Sequence, residues 1–321
     1  MKIAVLLAPR EFEVVDIPVP DIEPDEVLVH VAACGVCTSE LDIWDGSADV
    51  GGFPRYPGHE VSGIVEKAGE EVVGLKEGDP VSVWTTGKGF AEYVAVKAEH
   101  CLSAGSVPLD LALGEPLACA VNAVELAGIS LGDDVVLIGA GFMGNLVQKL
   151  VALRSPRHLI VADTRSDALA RAEQLGATRV VNVQSESLSD AVRDLTDGRG
   201  ADVSFEVTGV QAPLVMLGNV TRMSGKLVIV GYHQGGMREI PLAHWNYQAF
   251  QIVNAHFREE ATIMRGMRIG MRLLTSGRLR LDGLVTHHFP LHEINRAFQT
   301  AHEKPKGFVK STVEINGAGA H

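Results

Sequence analysis

Two short segments of this chain carry side chains that bind metals or move protons. The first is Cys34-Gly35-Val36-Cys37-Thr38-Ser39-Glu40, and the second is Gly58-His59-Glu60. Thiolate, imidazole and carboxylate are all zinc ligands. Taken alone, Cys34 and Cys37 fit a redox C-x-x-C pair or two packing residues as well as a metal site, and His59 fits a hydrogen-bonded turn histidine.

A third segment, Gly139-Ala140-Gly141-Phe142-Met143-Gly144, matches G-x-G-x-x-G. It follows the apolar run Val135–Ile138 and opens a helical pattern, the context in which this motif cradles a dinucleotide. Gly139 would make the tight turn. Gly141 would let the backbone approach a pyrophosphate, and Gly144 would let helix and strand pack closely. Unpaired N–H groups at the helix start then face the phosphates. Asp163 ends the next apolar run. An acid there accepts hydrogen bonds from the adenosine ribose and repels the extra phosphate of NADP, which favours NAD. Arg165, two residues on, keeps NADP from being excluded. The alternative is a glycine turn with no nucleotide.

The elements that must hold these segments change character along the chain. Over the first hundred or so residues, short strand patterns (Val27–Val31, Val61–Val65, Val81–Trp84) are punctuated by glycine and proline, the rhythm of a compact β domain. A helix over 116–127 follows. Strands at 135–138, 159–162, 180–183, 203–207 and 227–230 then alternate with helices at 145–153 and 167–175, which predicts βαβ units and a parallel sheet. A periodic helix at 261–275 and a last strand at 308–314 close the chain.

With 321 residues, two domains are expected. The net charge of −12 argues against nucleic acid, which attracts basic patches, and against anionic membrane surfaces. The N-terminal apolar run is too short for a signal peptide, and no run approaches the roughly 18 residues of a transmembrane span. Four cysteines in a chain this long are no disulfide framework, so a reducing, cytoplasmic setting is expected. The tail Asn316–His321 is expected to be loose.

Six segments occur in one order: C-G-V-C-T-S-E (34–40), G-H-E-V-S-G-I-V (58–65), G-D-P-V-S-V (78–83), G-F-A-E-Y-V (89–94), E-P-L-A-C-A (115–120) and G-A-G-F-M-G (139–144). Together they resemble the zinc-containing medium-chain dehydrogenase/reductase family, which includes alcohol, sorbitol and threonine dehydrogenases. The resemblance implies an α/β protein with a GroES-like β-rich catalytic domain (1–116 with 257–321) and a Rossmann domain (117–256) that binds NAD. It implies one catalytic zinc held by Cys37, His59 and a carboxylate. Glu60 either binds the metal or lies beside it. Glu115 matches the third ligand position, with Cys119 as the alternative, and Cys34 and Cys101 are packing residues. Ser39 matches the hydroxyl that relays the alcohol proton, or else caps the helix start. Glu40 matches an acid that orients a ligand, or else is an exposed helix-start charge. Val230-Gly231-Tyr232 would face the nicotinamide carboxamide. Lys310 would contact the pyrophosphate, or else be a surface lysine.

Two departures from the family pattern matter. Trp84–Phe90 joins its flanking segments directly, where the family often carries a four-cysteine lobe, so no structural zinc is expected. Asp42 stands where the proton relay has a histidine; Asp42, a water or a cofactor ribose would serve instead. The family implies a homodimer or homotetramer formed through the Rossmann domain. Trp44, Phe53 and Tyr56 flank the ligand segments and are candidates to line the pocket, with core packing expected for at least one of them; the polar and aromatic residues His233, His244, Trp245, Asn246 and His256 suggest a pocket suited to a polyol, cyclitol or sugar. The competing functions are a zinc-free NADPH quinone or enone reductase of the same fold, and a non-catalytic NAD(H)-binding protein.

Overall fold

The computed structural model describes residues 1–48 and 51–315; the tail from Asn316 lies outside the described residues. The chain divides into two compact units, Met1–Ala118 together with the chain from Ile263, and Cys119–Thr262.

The first unit opens with an antiparallel pair, β1 (Lys2–Ala8) and β2 (Glu11–Asp16). Next come β3 (Glu26–Gly35), α1 (Thr38–Trp44), β4 (Glu60–Ala68), β5 (Pro80–Trp84), β6 (Tyr93–Lys97) and β7 (Cys101–Ser103). The helix α2 (Gly114–Ala127) runs on into the second unit.

That unit alternates strand and helix: β8 (Asp134–Ile138), α3 (Phe142–Ala152), β9 (His158–Asp163), α4 (Ser166–Gln174), β10 (Arg179–Asn182), α5 (Leu188–Leu195), β11 (Ala201–Glu206), α6 (Gln211–Val220), β12 (Thr221–Ile229), α7 (Leu242–Tyr247) and β13 (Gln251–Asn254). The chain then returns through α8 (Glu260–Thr275), β14 (His287–Pro290), α9 (Ile294–Glu303) and β15 (Ser311–Glu314).

In the first unit the main sheet runs β14-β15-β3-β4-β5-β7, with β6 paired to β3. Alternating valines of β3, β4 and β5 point into one core with Phe90, Phe298 and Trp44. Trp44 is 1% exposed, and it packs on Phe298. Of the two roles open to it, Trp44 therefore takes core packing over pocket lining. Phe53 is half-buried against the same core, while Tyr56 is exposed. The last strand is shorter than its apolar pattern suggests. Thr286 and His287 both donate backbone N–H bonds to the Lys310 carbonyl, so pairing of the ladder type begins only at Ser311.

The direct link after β5 is a fastener between turns. Gly89 N–H donates to the Gly58 carbonyl (2.9 Å) and Lys88 N–H to the Tyr56 carbonyl (2.8 Å). The link therefore grips the segment that carries His59.

In the second unit the sheet is parallel, in the order β10-β9-β8-β11-β12-β13. Strand β8 is buried along its whole length, as a central parallel strand covered on both faces must be. At the amino ends of the strands two acids are buried. Asp134 receives Arg157 through Nε (2.9 Å) and Nη2 (2.6 Å), His158 (2.9 Å) and Arg199 (2.8 Å). Asp202 receives the Asp134 backbone N–H, Arg199 twice and Arg222. Every lone-pair site on both carboxylates is filled. Burial alone would raise the Asp202 pKa, but Arg199 and Arg222 bring it down to about 2.

Candidate metal and dinucleotide sites

The register of the first sheet builds the metal candidate. Gly35, the last residue of β3, pairs with Glu60 on β4 and with Thr312 on β15. Lys310, just before β15, thereby reaches Glu60. Its Nζ lies 2.7 Å from Oε1 and 2.5 Å from Oε2. Both side chains are buried. A Cβ on residue 35 would lie 2.0 Å from Glu60 Oε2 and 3.0 Å from Lys310 Cε. Only glycine lets carboxylate and ammonium meet there.

The chain leaves β3 and turns into α1 with Cys37 at the N-cap. The Glu40 side chain reaches back to Cys37 N–H (3.4 Å), the reciprocal half of a capping box. Its Oε1 also accepts Gly58 N–H (2.6 Å) and faces His59 Nδ1 (2.9 Å). Glu40 is 5% exposed, so it is no surface charge. With Nδ1–H donating to Glu40, His59 has Nε2 as its ligand atom, the usual arrangement of a metal-bound histidine, and the ring is also hydrogen-bonded to the Cys37 side chain. Burial alone would depress the His59 pKa, but Glu40 and Cys37 outweigh it and raise it well above the ordinary value. A field that draws a proton onto His59 draws a divalent cation for the same reason.

The ligand atoms of Cys37, His59 and Glu60 all lie within 4.8 Å of one another. Donors about 2.0–2.3 Å from a tetrahedral zinc sit roughly 3.5 Å apart, so this soft and hard donor set fits the ion. Ser39 Oγ donates to Cys37 Sγ at 3.2 Å. Its hydroxyl therefore faces the donor cluster.

Glu115 is half-buried in the first turn of α2, and its charge acts on Lys310, so it faces the same corner without joining the trio. Cys119, one turn later, is half-buried. Cys34 and Cys101 are buried; burial pushes the Cys34 thiol well up and the Cys101 thiol up to about 12, which fits inert packing residues.

Two site expectations need correction. Lys310 is neither a surface lysine nor free to meet a pyrophosphate, because its ammonium is held by Glu60. The charged groups acting on Asp42 are Asp45, His302 and Lys304, not the donor cluster. Its position at the α1–α9 contact gives no support to the relay reading.

The second unit carries the dinucleotide candidate. Gly139 turns at φ +111, and α3 starts directly after Gly141, three residues earlier than its apolar pattern suggests. No side chain caps that helix start, and a Cβ on Gly141 would meet nothing within 4 Å. The backbone at Gly141 therefore leaves room beside the start of α3, which is what a phosphate needs. A Cβ on Gly144 would lie 2.0 Å from the Gly139 carbonyl, so the close helix–strand approach requires glycine. Phe142 and Met143 are half-buried in the first turn.

Asp163 ends β9. It accepts Ala140 N–H on Oδ2 (2.7 Å) and Arg165 N–H on Oδ1 (2.8 Å). Both bonds aim the carboxylate and leave a lone pair on each oxygen. The Arg165 Nε lies 3.8 Å from it. Val230 and Gly231 donate N–H bonds to the Glu206 carbonyl, and Tyr232 is half-exposed beside His256.

The expected polar pocket is split. His233 and His256 sit at the carboxyl ends of the strands, whereas His244 contacts the Gly218 carbonyl and Trp245 is 2% exposed in the core. Sequence reasoning missed Glu206, which is fully buried. The signal was present: an acid ending a fully buried strand must have partners.

Comparison with known proteins agrees with this architecture. The model for the alcohol dehydrogenase GroES-like domain matches residues 23–108, and that for zinc-binding dehydrogenase matches residues 144–268. Sorbitol dehydrogenase of Gallus gallus is 30% identical over 327 aligned residues, covering 88% of both chains. Erythritol/L-threitol dehydrogenase of Mycolicibacterium smegmatis is 27% identical, covering 92% of both. The crystal structure of 2R,3R-butanediol dehydrogenase from Bacillus subtilis matches with a TM-score of 0.85 at 26% identity, covering 98% of this chain and 99% of that one. The chain belongs to the zinc-containing medium-chain dehydrogenase/reductase family. It is an oxidoreductase with a GroES-like domain and a parallel-sheet Rossmann domain, as its motifs imply.

Proposed function

We propose that the protein is a zinc-dependent dehydrogenase that moves hydride between a secondary alcohol of the polyol, cyclitol or sugar class and NAD. The observation that carries this is the convergence of Cys37, His59 and Glu60 ligand atoms within 4.8 Å, beside the hydroxyl of Ser39. Cys37 and His59 would hold one zinc ion, with Glu115 or Glu60 completing the set; when bound, zinc supplies the Lewis acidity that lowers an alcohol's pKa. NAD supplies the hydride acceptor.

The chain's own residues do the rest. Glu40 fixes the His59 tautomer and orients its ring. Lys310 neutralises Glu60 so that a buried carboxylate is tolerated. Ser39 takes the alcohol proton outward. Gly139–Gly144 seats the pyrophosphate, and Asp163, aimed by Ala140 and Arg165, binds the ribose and disfavours NADP. The polyol class is supported by the substrates named for the two sequence relatives.

Strand β13 is an edge strand, with Ile252 half-exposed. Such an edge invites a second copy, which supports a homodimer or homotetramer. None of the four cysteines is joined in a disulfide, which supports a reducing, cytoplasmic setting.

The test is NADH production by zinc-loaded protein across polyols, cyclitols, sugars, amino alcohols and simple alkanols, with metal analysis beside it. We expect one zinc per chain, loss of turnover with a chelator, and preference for polyols. Full activity without zinc would favour the quinone-reductase function. Alkanols outperforming polyols by orders of magnitude would sink the substrate class.

A further inference from the structure

We propose that Glu206 is a positioning residue for the nicotinamide half of the dinucleotide, acting by bracing the loops after β11 and β12 to each other. The proposal rests on the dinucleotide reading above. In a parallel sheet of this order the chain switches sides between β8 and β11, and a dinucleotide lies across the carboxyl ends of the strands there. Asp163 closes β9, so the adenosine half belongs over β9 and β10. The nicotinamide half then belongs over β11 and β12.

Glu206 is the last residue of β11 and is fully buried. Its Oε1 accepts Thr208 N–H (2.6 Å), Gly209 N–H (2.8 Å) and the Thr208 hydroxyl. Its Oε2 faces His233 Nε2 at 2.8 Å. Its main-chain carbonyl takes Val230 N–H (2.8 Å) and Gly231 N–H (2.9 Å). One residue thus holds both loops, through side chain and backbone together.

The fit has no slack. A Cβ on Gly231 would lie 2.2 Å from Gly209 N and 2.6 Å from Glu206 Oε2. A Cβ on Gly139 would lie 2.7 Å from Thr208 Cγ2, so the braced loop also abuts the dinucleotide turn.

The neighbours of His233 set its tautomer. Arg238 Nε can only donate, and it lies 3.3 Å from Nδ1; so Nδ1 accepts, and Nε2–H donates to the carboxylate. Arg238 Nη2 donates to the Gln234 carbonyl (2.6 Å), which closes the loop on itself.

Titration calorimetry on the zinc-loaded full chain tests this with two ligands: NADH, and ADP-ribose, which lacks the nicotinamide. Glu206→Gln keeps the shape but turns an N–H toward either the Thr208–Gly209 donors or His233, so one loop loses its acceptor. NADH binding should weaken about tenfold while ADP-ribose binds as in the wild type. The KM for NAD should rise with the polyol KM unchanged.

A second pair decides the matter if Glu206→Gln does not fold. His233→Gln offers a donor to Glu206 and an acceptor to Arg238, and should bind NADH almost normally. His233→Leu should lose NADH affinity selectively. If both ligands weaken equally in these variants, or neither weakens while the melting temperature falls, Glu206 is a strut and the proposal fails. A wild-type protein that binds neither ligand overturns the dinucleotide reading itself, and the proposal with it.

Discussion

Buried acids occur in both units, and they are treated differently. Asp134 and Asp202, at the amino ends of the parallel strands, have every acceptor site occupied by arginine, histidine or backbone N–H groups. Glu60, at the start of β4, shares both oxygens with the single ammonium of Lys310, and its neighbours are a thiol and a histidine. The first arrangement is closed and holds strands together. The second keeps donor capacity in hand beside soft ligands. Burial of charge by itself does not mark a reactive centre; capacity left over after the internal partners are counted does.

Four measurements would break or sharpen that contrast. The largest effect is expected from Cys37→Ala. Zinc content should fall to background, and turnover should fall on the order of a thousandfold. Retention of zinc and most activity would show that the open cluster is no metal centre.

Asp134→Ala should do the reverse. It strands Arg157, which is 42% exposed and so keeps part of its hydration, and takes the acceptor from His158, while Arg199 keeps Asp202. The expected loss in urea unfolding is about 2–3 kcal/mol, with turnover per folded molecule unchanged. A large fall in turnover would mean that the closed network reaches the chemistry.

Acid separates the two further. The Asp202 pKa is depressed from its ordinary value to about 2, so the native state holds its proton less tightly than the unfolded chain does. Its contribution of about 2 kcal/mol is present above pH 4 and lost as pH falls from about 4 to 2. Asp202→Asn should flatten that part of the stability curve; an unchanged slope would contradict the linkage.

The smallest effect is expected from Glu40→Gln. It keeps the shape but weakens the hold on His59, so zinc affinity should fall about tenfold with little change in melting temperature. No change in zinc titrations would remove Glu40 from the site.

Much of this was legible in the residues. The alternation of apolar runs with helical patterns gave the parallel sheet, because a strand covered on both faces reads as a near-continuous apolar run, as Val135 to Ile138 of β8 does. The donor types at 37, 59 and 60 and the glycines at 139, 141 and 144 were readable because their chemistry is carried by residue type at fixed local spacing. What stayed hidden depends on pairing across distance. Lys310 and Glu60 are 250 residues apart and meet only through the β4-β3-β15 register, so a buried ammonium reads as a surface lysine. Glu206 and His233 meet across two loops, and Asp42 turns toward α9 for reasons that lie in tertiary packing.

The link from Trp84 to Phe90 has a consequence for anyone who would alter this chain. Surface loops are usually where a sequence tolerates added length, a tag or a grafted domain. Here the link grips Gly58 backbone to backbone, and Gly58 sits at φ +103 with no room for a Cβ, which would lie 2.6 Å from Phe90 N. An insertion between Trp84 and Phe90 would pull on the residue next to His59. The stretch from Pro18 to Ile22, which is largely exposed and lies between the backbone bonds of Ile17 and Pro24, is the safer place for cargo.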